Sequence, residues 1–204
     1  MGGLEPGAGR DRAVIDPGVG PFTLANGLTA LRIVLAPVFL VLYVKGDSLR
    51  ALAAFAAAAS SDLLDGLVAR ALHQRTWLGA ILDPIADKFL AACALLALTW
   101  TGHLPAWLPA LVIGRDAVLV AGAALLKWLR NAQPLAPTRI GKYATFALAV
   151  AVILALAGDY GAVPRALADP YLVAFALLGA TCVVLSFLQY GLFFFRVLRA
   201  ERVA

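Results

Sequence analysis

The sequence predicts an all-α integral membrane protein: a bundle of six transmembrane helices entered through a short N-terminal interfacial helix. Three observations predict it. Of the 204 residues, 62% are hydrophobic and only 14% charged, whereas a soluble domain of this size carries roughly 25% charged residues. Apolar runs recur along the whole chain, each close to the roughly 20 residues that cross about 30 Å of hydrocarbon. Lys and Arg gather at the ends of these runs, as membrane topology requires.

The elements follow in order. Residues 1–20 are rich in Gly and Pro, with Glu5, Arg10, Asp11, Arg12 and Asp16 interspersed. No apolar core follows a basic start there, so the stretch has no signal-peptide pattern and reads as a flexible cytoplasmic tail. A single transmembrane domain over 21–200 comes next. Its first segment, Pro21 to Leu31, is short and amphipathic and predicts the interfacial helix. Six spans are then expected at about 28–45, 50–71, 80–101, 105–129, 140–158 and 170–195. Gly46-Asp47-Ser48 separates the first two, and Gly102-His103-Leu104-Pro105 the third and fourth. Pro134 and Pro137 mark the turn before the fifth span, and Gly158-Asp159-Tyr160-Gly161 ends it.

Six spans place both termini on one side. That side holds Arg10, Arg12, Arg70, Arg75, Lys88, Lys127, Arg130, Arg139, Lys142, Arg196, Arg199 and Arg202, against Lys45, Arg50 and Arg165 opposite. Both termini are therefore expected to face the cytoplasm, in a multi-pass protein of the cytoplasmic (inner) membrane. The formal charge of +5 reads as topology and contact with anionic lipid rather than nucleic-acid binding. Cys93 and Cys182 lie in apolar runs without ligand spacing around them and read as buried fillers. Trp77, Trp100, Trp107 and Trp128 fall near span ends, as interfacial anchors do.

Against this greasy background one motif stands out: Asp62-x-x-Asp65-Gly66-x-x-Ala69-Arg70, then eight residues, then Gly79-x-x-x-Asp83-x-x-x-Asp87. Carboxylates are costly in membrane segments, and ionisable groups there mark function. Asp62 and Asp65 are three apart and Asp83 and Asp87 four apart, so each pair lies on one helical face. Two such helices could enclose one or two hard divalent cations. The positive-inside reading sets the motif at the cytoplasmic end of the second and third spans. Gly66, Ala69 and Gly79 permit close approach of a helix or a ligand, and Arg70 offers a donor fork suited to phosphate. Together these residues suggest a diphosphate-bearing substrate. His73 lies in the turn within the motif and reads as solvated; His103 lies on the far side.

The stretch from Asp62 to Asp87 is similar, without departure, to the signature of the CDP-alcohol phosphatidyltransferase family. Asn26-Gly27-Leu28-Thr29-Ala30-Leu31-Arg32 resembles that family's N-terminal element. Leu82-Asp83-Pro84-Ile85-Ala86-Asp87-Lys88, Ile113-Gly114-Arg115-Asp116 and Arg139-Ile140-Gly141-Lys142-Tyr143-Ala144-Thr145 resemble its phosphatidylglycerophosphate synthase and cardiolipin synthase branch. The likeness covers most of residues 22–146, while the last span matches in hydrophobicity alone.

The resemblance implies displacement of CMP from a CDP-linked lipid by an alcohol. It implies that Asp62, Asp65 and Asp83 bind Mg²⁺ or Mn²⁺, two ions in all, with Asp87 near or on the second. Asp87 would be the general base for the acceptor hydroxyl, and Asp62, Gly66, Ala69, Arg70 and Gly79 would line the cytidine diphosphate. It further implies a homodimer. CDP-diacylglycerol is the expected donor and glycerol 3-phosphate the expected acceptor, with Arg115, Arg139 and Lys142 on the acceptor phosphate. Arg32, inside the first span, either snorkels to the interface or reaches the nucleotide pocket.

Two alternatives stand beside this. A cardiolipin synthase would use phosphatidylglycerol instead, and Gly-Arg-Asp rather than Gly-Arg-Glu in the fourth span leans that way. A divalent metal transporter would use the aspartates as a filter, but it predicts acids near midplane in both halves of the chain, and these cluster in one half beside Arg70. An inositol phosphate acceptor fits less well, because Asp83-Pro84-Ile85-Ala86-Asp87-Lys88 departs from that subgroup's pattern.

Overall fold

The computed structural model describes residues 23–71, 77–130 and 139–200, without the side chains of 25, 62, 63, 65–71, 77, 78, 80, 123–130 and 193–200. These residues form six helices: α1 (Leu24–Val44), α2 (Ser48–Ala71), α3 (Trp77–Trp100), α4 (Trp107–Arg130), α5 (Arg139–Tyr160) and α6 (Arg165–Ala200). No strand occurs among the described residues. The tail expected over 1–20 lies outside them.

The separate interfacial helix expected over 21–31 is corrected by the structure. Thr23 caps α1, accepting the Asn26 N–H at 3.2 Å, and the helix then runs unbroken to Val44. The reason is one polar face. Asn26, Thr29 and Arg32 recur every three residues and are all buried. Their polar groups turn into the bundle rather than toward headgroups, so the segment packs as the first turns of a bundle helix.

Three connections share one chemistry. Gly46, Gly102 and Gly161 take φ values of 80°, 82° and 83° at the ends of α1, α3 and α5. After each, the chain closes the paired hydrogen bonds of a Schellman cap: Gly46 N–H to Tyr43 O with Asp47 N–H to Leu42 O, and likewise at Gly102–His103 and Gly161–Ala162. A side chain at these φ values is strained, so the glycines set where the helices stop. Asp47 then caps α2 by accepting the Arg50 N–H at 3.2 Å.

The short first turn folds α2 back along α1, and α3 packs on α1 as well; α5 and α6 form a second close pair. Among the described residues α4 packs only along α3 and α6. The core is rich in alanine, with Ala51, Ala54, Ala94, Ala97, Ala144, Ala151 and Ala155 around Phe39, Leu95, Leu98 and Leu156. Such small residues let helices approach closely where no hydrophobic drive exists between helix and lipid. By length and composition α1 from Asn26, all of α5, and α6 as far as Leu192 are long and apolar enough to cross a membrane. Large apolar side chains on their outer faces, such as Val34, Val41, Phe146, Ile153, Leu177 and Leu188, are exposed. This is a membrane protein.

Two packing features carry predictions. Gly179 on α6 is buried so close to α5 that an added Cβ would lie 2.7 Å from Leu148 Cγ and 2.8 Å from Leu148 Cδ2. Overpacking of this kind costs about 1–3 kcal/mol. Gly179→Ala is therefore expected to lower the melting temperature in detergent; an unchanged melting curve would contradict the close α5–α6 approach.

The second feature is a polar knot at the end of the bundle that holds the three glycine caps. Asp159 on α5 accepts from the Tyr43 hydroxyl of α1 and from the Arg165 guanidinium of α6. His103, in the α3–α4 turn, places Nε2 3.3 Å from Asp159 Oδ1 and accepts from Arg165 at 2.9 Å, while its Nδ1 pairs with Thr101 Oγ1 at 2.8 Å. Asp159→Ala removes the acceptor that the buried Tyr43 hydroxyl and the Arg165 guanidinium share and is expected to cost about 1–3 kcal/mol. Thermal unfolding of the variant checks this, and a wild-type melting temperature would show that the knot adds nothing.

Candidate active site

The site begins where α1 meets α3. Asp83 and Asp87 sit one turn apart on α3, on either side of Pro84 and its neighbours. Thr29, almost fully buried on α1, donates from Oγ1 to Asp83 Oδ1 at 2.6 Å. One turn further along α1, Arg32 donates from NH1 to Asp87 Oδ1 at 2.5 Å. Arg32 is 0% exposed, whereas the Asp87 side chain is 52% exposed. A guanidinium so deeply buried requires a counter-charge, and the structure thus resolves the choice left open by the sequence: Arg32 turns inward rather than snorkelling.

Arg32 and Asp87 open onto a cavity of about 510 Å³ between the helices. Its polar end also holds Lys88 of α3 and Arg115 and Asp116 of α4. Asp116 bridges the two cations, with Oδ2 3.2 Å from Lys88 Nζ and Oδ1 accepting from Arg115 NH1 at 2.6 Å. Arg115 NH2 donates to the buried Ser186 Oγ of α6 at 2.7 Å, and the guanidinium lies 5.9 Å from the Tyr190 ring centre. Among the described residues Arg115 Nε is buried without a hydrogen-bond partner. The polar end therefore sets three cations against two carboxylates. Below it the walls are apolar, from Phe55, Leu95, Val112, Leu148, Val152 and Val183.

The other sequence-derived residues fall as follows. Arg139 and Lys142 are exposed at the start of α5 and do not line the cavity, although Gly141 and Thr145 beside them do. Gly79 is buried in the first turn of α3. Asp62, Asp65, Gly66, Ala69 and Arg70 occupy the last turns of α2, and their side chains lie outside the described residues. Because α2 runs back along α1, those turns come alongside the first turns of α1, the end at which Thr29 and Arg32 meet α3. His73 lies outside the described residues, and His103 belongs to the distant polar knot. Sequence reasoning passed over Thr29, Lys88, Asp116, Ser186 and Tyr190 as site residues. Ser186 had a usable signal, as a polar residue inside an apolar run.

Among the described residues no group of three or more His, Cys, Asp or Glu could hold a metal, since two of the four motif carboxylates fall outside them. The donors that are described fit a hard divalent cation by chemistry: Asp83 and Asp87 offer carboxylate oxygens, and among the described residues no thiol or imidazole lines the cavity.

Residues 22–185 match the family model for CDP-alcohol phosphatidyltransferases. The chain belongs to the CDP-alcohol phosphatidyltransferase family. It is 33% identical to a cardiolipin synthase (CMP-forming) of Streptomyces coelicolor over 191 residues, 89% of this chain and 87% of that protein. It is 40% identical to a probable phosphatidylglycerophosphate synthase of Mycobacterium tuberculosis over 145 residues, 66% of this chain and 68% of that one. The human cardiolipin synthase (CMP-forming) is 40% identical over 109 residues, which cover 53% of this chain and only 36% of the human protein. Its similarity extends to relatives named for two different products, phosphatidylglycerophosphate and cardiolipin.

Proposed function

We propose that this phosphatidyltransferase moves the phosphatidyl group of CDP-diacylglycerol to the free hydroxyl of phosphatidylglycerol, releasing CMP. The cavity carries this reading. A single surplus cation among its described residues suits a phosphodiester, with one negative charge, better than the dianion of a phosphate monoester. The apolar wall suits an acceptor that brings its own acyl chain. From Gly141 to Val152 the lining of α5 descends about 16 Å at the helical rise of about 1.5 Å per residue, close to the half-thickness of about 15 Å of one hydrocarbon leaflet.

In this reading the acceptor hydroxyl attacks the phosphorus that bears the diacylglycerol. The bond from that phosphorus to the oxygen of CMP breaks, and CMP leaves. Asp87 takes the hydroxyl proton, while the Arg32 ion pair keeps its carboxylate at the cavity edge. Arg115, held by Asp116 and Ser186, presents its guanidinium to the acceptor phosphate. Asp62, Asp65, Asp83 and Asp87 would hold Mg²⁺ or Mn²⁺, two ions, with Asp62, Gly66, Ala69, Arg70 and Gly79 about the nucleotide. The cations would supply neutralisation of the diphosphate charge. The same reading takes the protein as a homodimer in the cytoplasmic membrane, with termini and site on the cytoplasmic side.

Glycerol 3-phosphate is the second reading. The Nε of Arg115, without a hydrogen-bond partner among the described residues, and the nearby Lys88 favour it, as cationic donors for a phosphate monoester. Product analysis separates the two. Purified protein given CDP-diacylglycerol and Mg²⁺ is expected to form cardiolipin from phosphatidylglycerol. Formation of phosphatidylglycerophosphate, with glycerol 3-phosphate as the sole working acceptor, would replace the first reading by the second.

A further inference from the structure

We propose that Thr29 is a positioning residue that fixes the Asp83 carboxylate for metal binding; this rests on the reading of Asp83 as a metal ligand. The observation is a buried hydroxyl set against a motif carboxylate of another helix. Thr29, 1% exposed on α1, donates from Oγ1 to Asp83 Oδ1 on α3 at 2.6 Å.

Two consequences follow from that contact. A hydroxyl donor fixes the plane of the carboxylate without bringing a counter-charge. Arg32, one turn on, gives Asp87 a fixed geometry and a counter-charge together. The face of α1 thereby sets two otherwise equivalent carboxylates apart: Asp83 is oriented by a neutral donor, as suits a ligand to a hard cation, and Asp87 is ion-paired. Groups that orient a metal's ligands in this way typically contribute about 10–100-fold to metal affinity.

The test is Mn²⁺ binding to the purified full-length protein in detergent, without substrate, read by the loss of the free-ion electron paramagnetic resonance signal. Melting curves run in parallel. Asp83→Asn is expected to remove a Mn²⁺ site. Thr29→Val is expected to weaken that site by about 10–100-fold, and Thr29→Ser to bind as wild type does. Thr29→Ala, which cannot overpack the α1–α3 contact, stands in if the valine variant does not fold. If Asp83→Asn removes the site while Thr29→Val or Thr29→Ala leaves it intact, the positioning role is overturned and the ligand reading survives. Loss with Thr29→Ser equal to loss with Thr29→Val also overturns it, since the hydroxyl would then not be the agent. Wild-type binding by Asp83→Asn overturns the ligand reading itself, and the positioning role with it.

Discussion

Asp87→Asn is expected to reduce CMP release by about 100-fold to 10,000-fold, the contribution of a positioned general base. The change also removes the counter-charge of the buried Arg32 and is expected to lower the melting temperature, so rates are compared per folded protein. The Asp87 side chain is half exposed, and an amide oxygen at the same place still accepts from Arg32. The variant loses the carboxylate that takes the proton, and it loses a hard oxygen donor. Initial rates of CMP release, with melting curves beside them, check this. A variant that turns over at the wild-type rate would take Asp87 out of the chemistry.

Arg115→Met is expected to act on the acceptor. The guanidinium is anchored from three directions, by Asp116, Ser186 and the Tyr190 ring. A hydrogen bond to a charged group is worth about 1.5–3 kcal/mol. Losing it should raise the KM for the acceptor by roughly 10-fold to 100-fold and leave the KM for CDP-diacylglycerol near its wild-type value. Asp116 keeps its contact with Lys88 in the variant, so the polar end is not left with an uncompensated carboxylate. A rise confined to the donor would move Arg115 to the nucleotide side.

Much of the helical order was legible in the sequence because the signals are local. Gly46, Gly102 and Gly161 stand at run ends, and each supplies the positive φ that a cap requires. The carboxylates were legible because acids are rare in apolar helices. What was not legible depends on contacts between distant elements. Among the described residues of 21–31, the interfacial helix read from the amphipathic pattern gives way to the first turns of α1, because Thr29 and Arg32 find partners on α3, about 55 positions away, which no local pattern announces. Arg115, Arg139 and Lys142 look alike in the sequence as cations suited to a phosphate. The rotation of α5 turns Gly141 and Thr145 to the cavity and leaves Arg139 and Lys142 outside it. Ser186 and Tyr190 were hidden in a span recognised by hydrophobicity alone. The knot about Asp159 joins three turns whose partners are fixed only once the bundle is assembled.

The carboxylate face of α2 and α3, with a divalent cation, is expected to transfer a phosphatidyl group from CDP-diacylglycerol. The direct measurement is CMP release by the purified protein from CDP-diacylglycerol and phosphatidylglycerol, first with Mg²⁺ and then with excess EDTA. Release is expected with Mg²⁺, with loss of that release in EDTA and recovery when Mg²⁺ is restored. Release that persists in EDTA would contradict the metal-dependent site. Absence of release with phosphatidylglycerol and with glycerol 3-phosphate alike would contradict the proposed reaction.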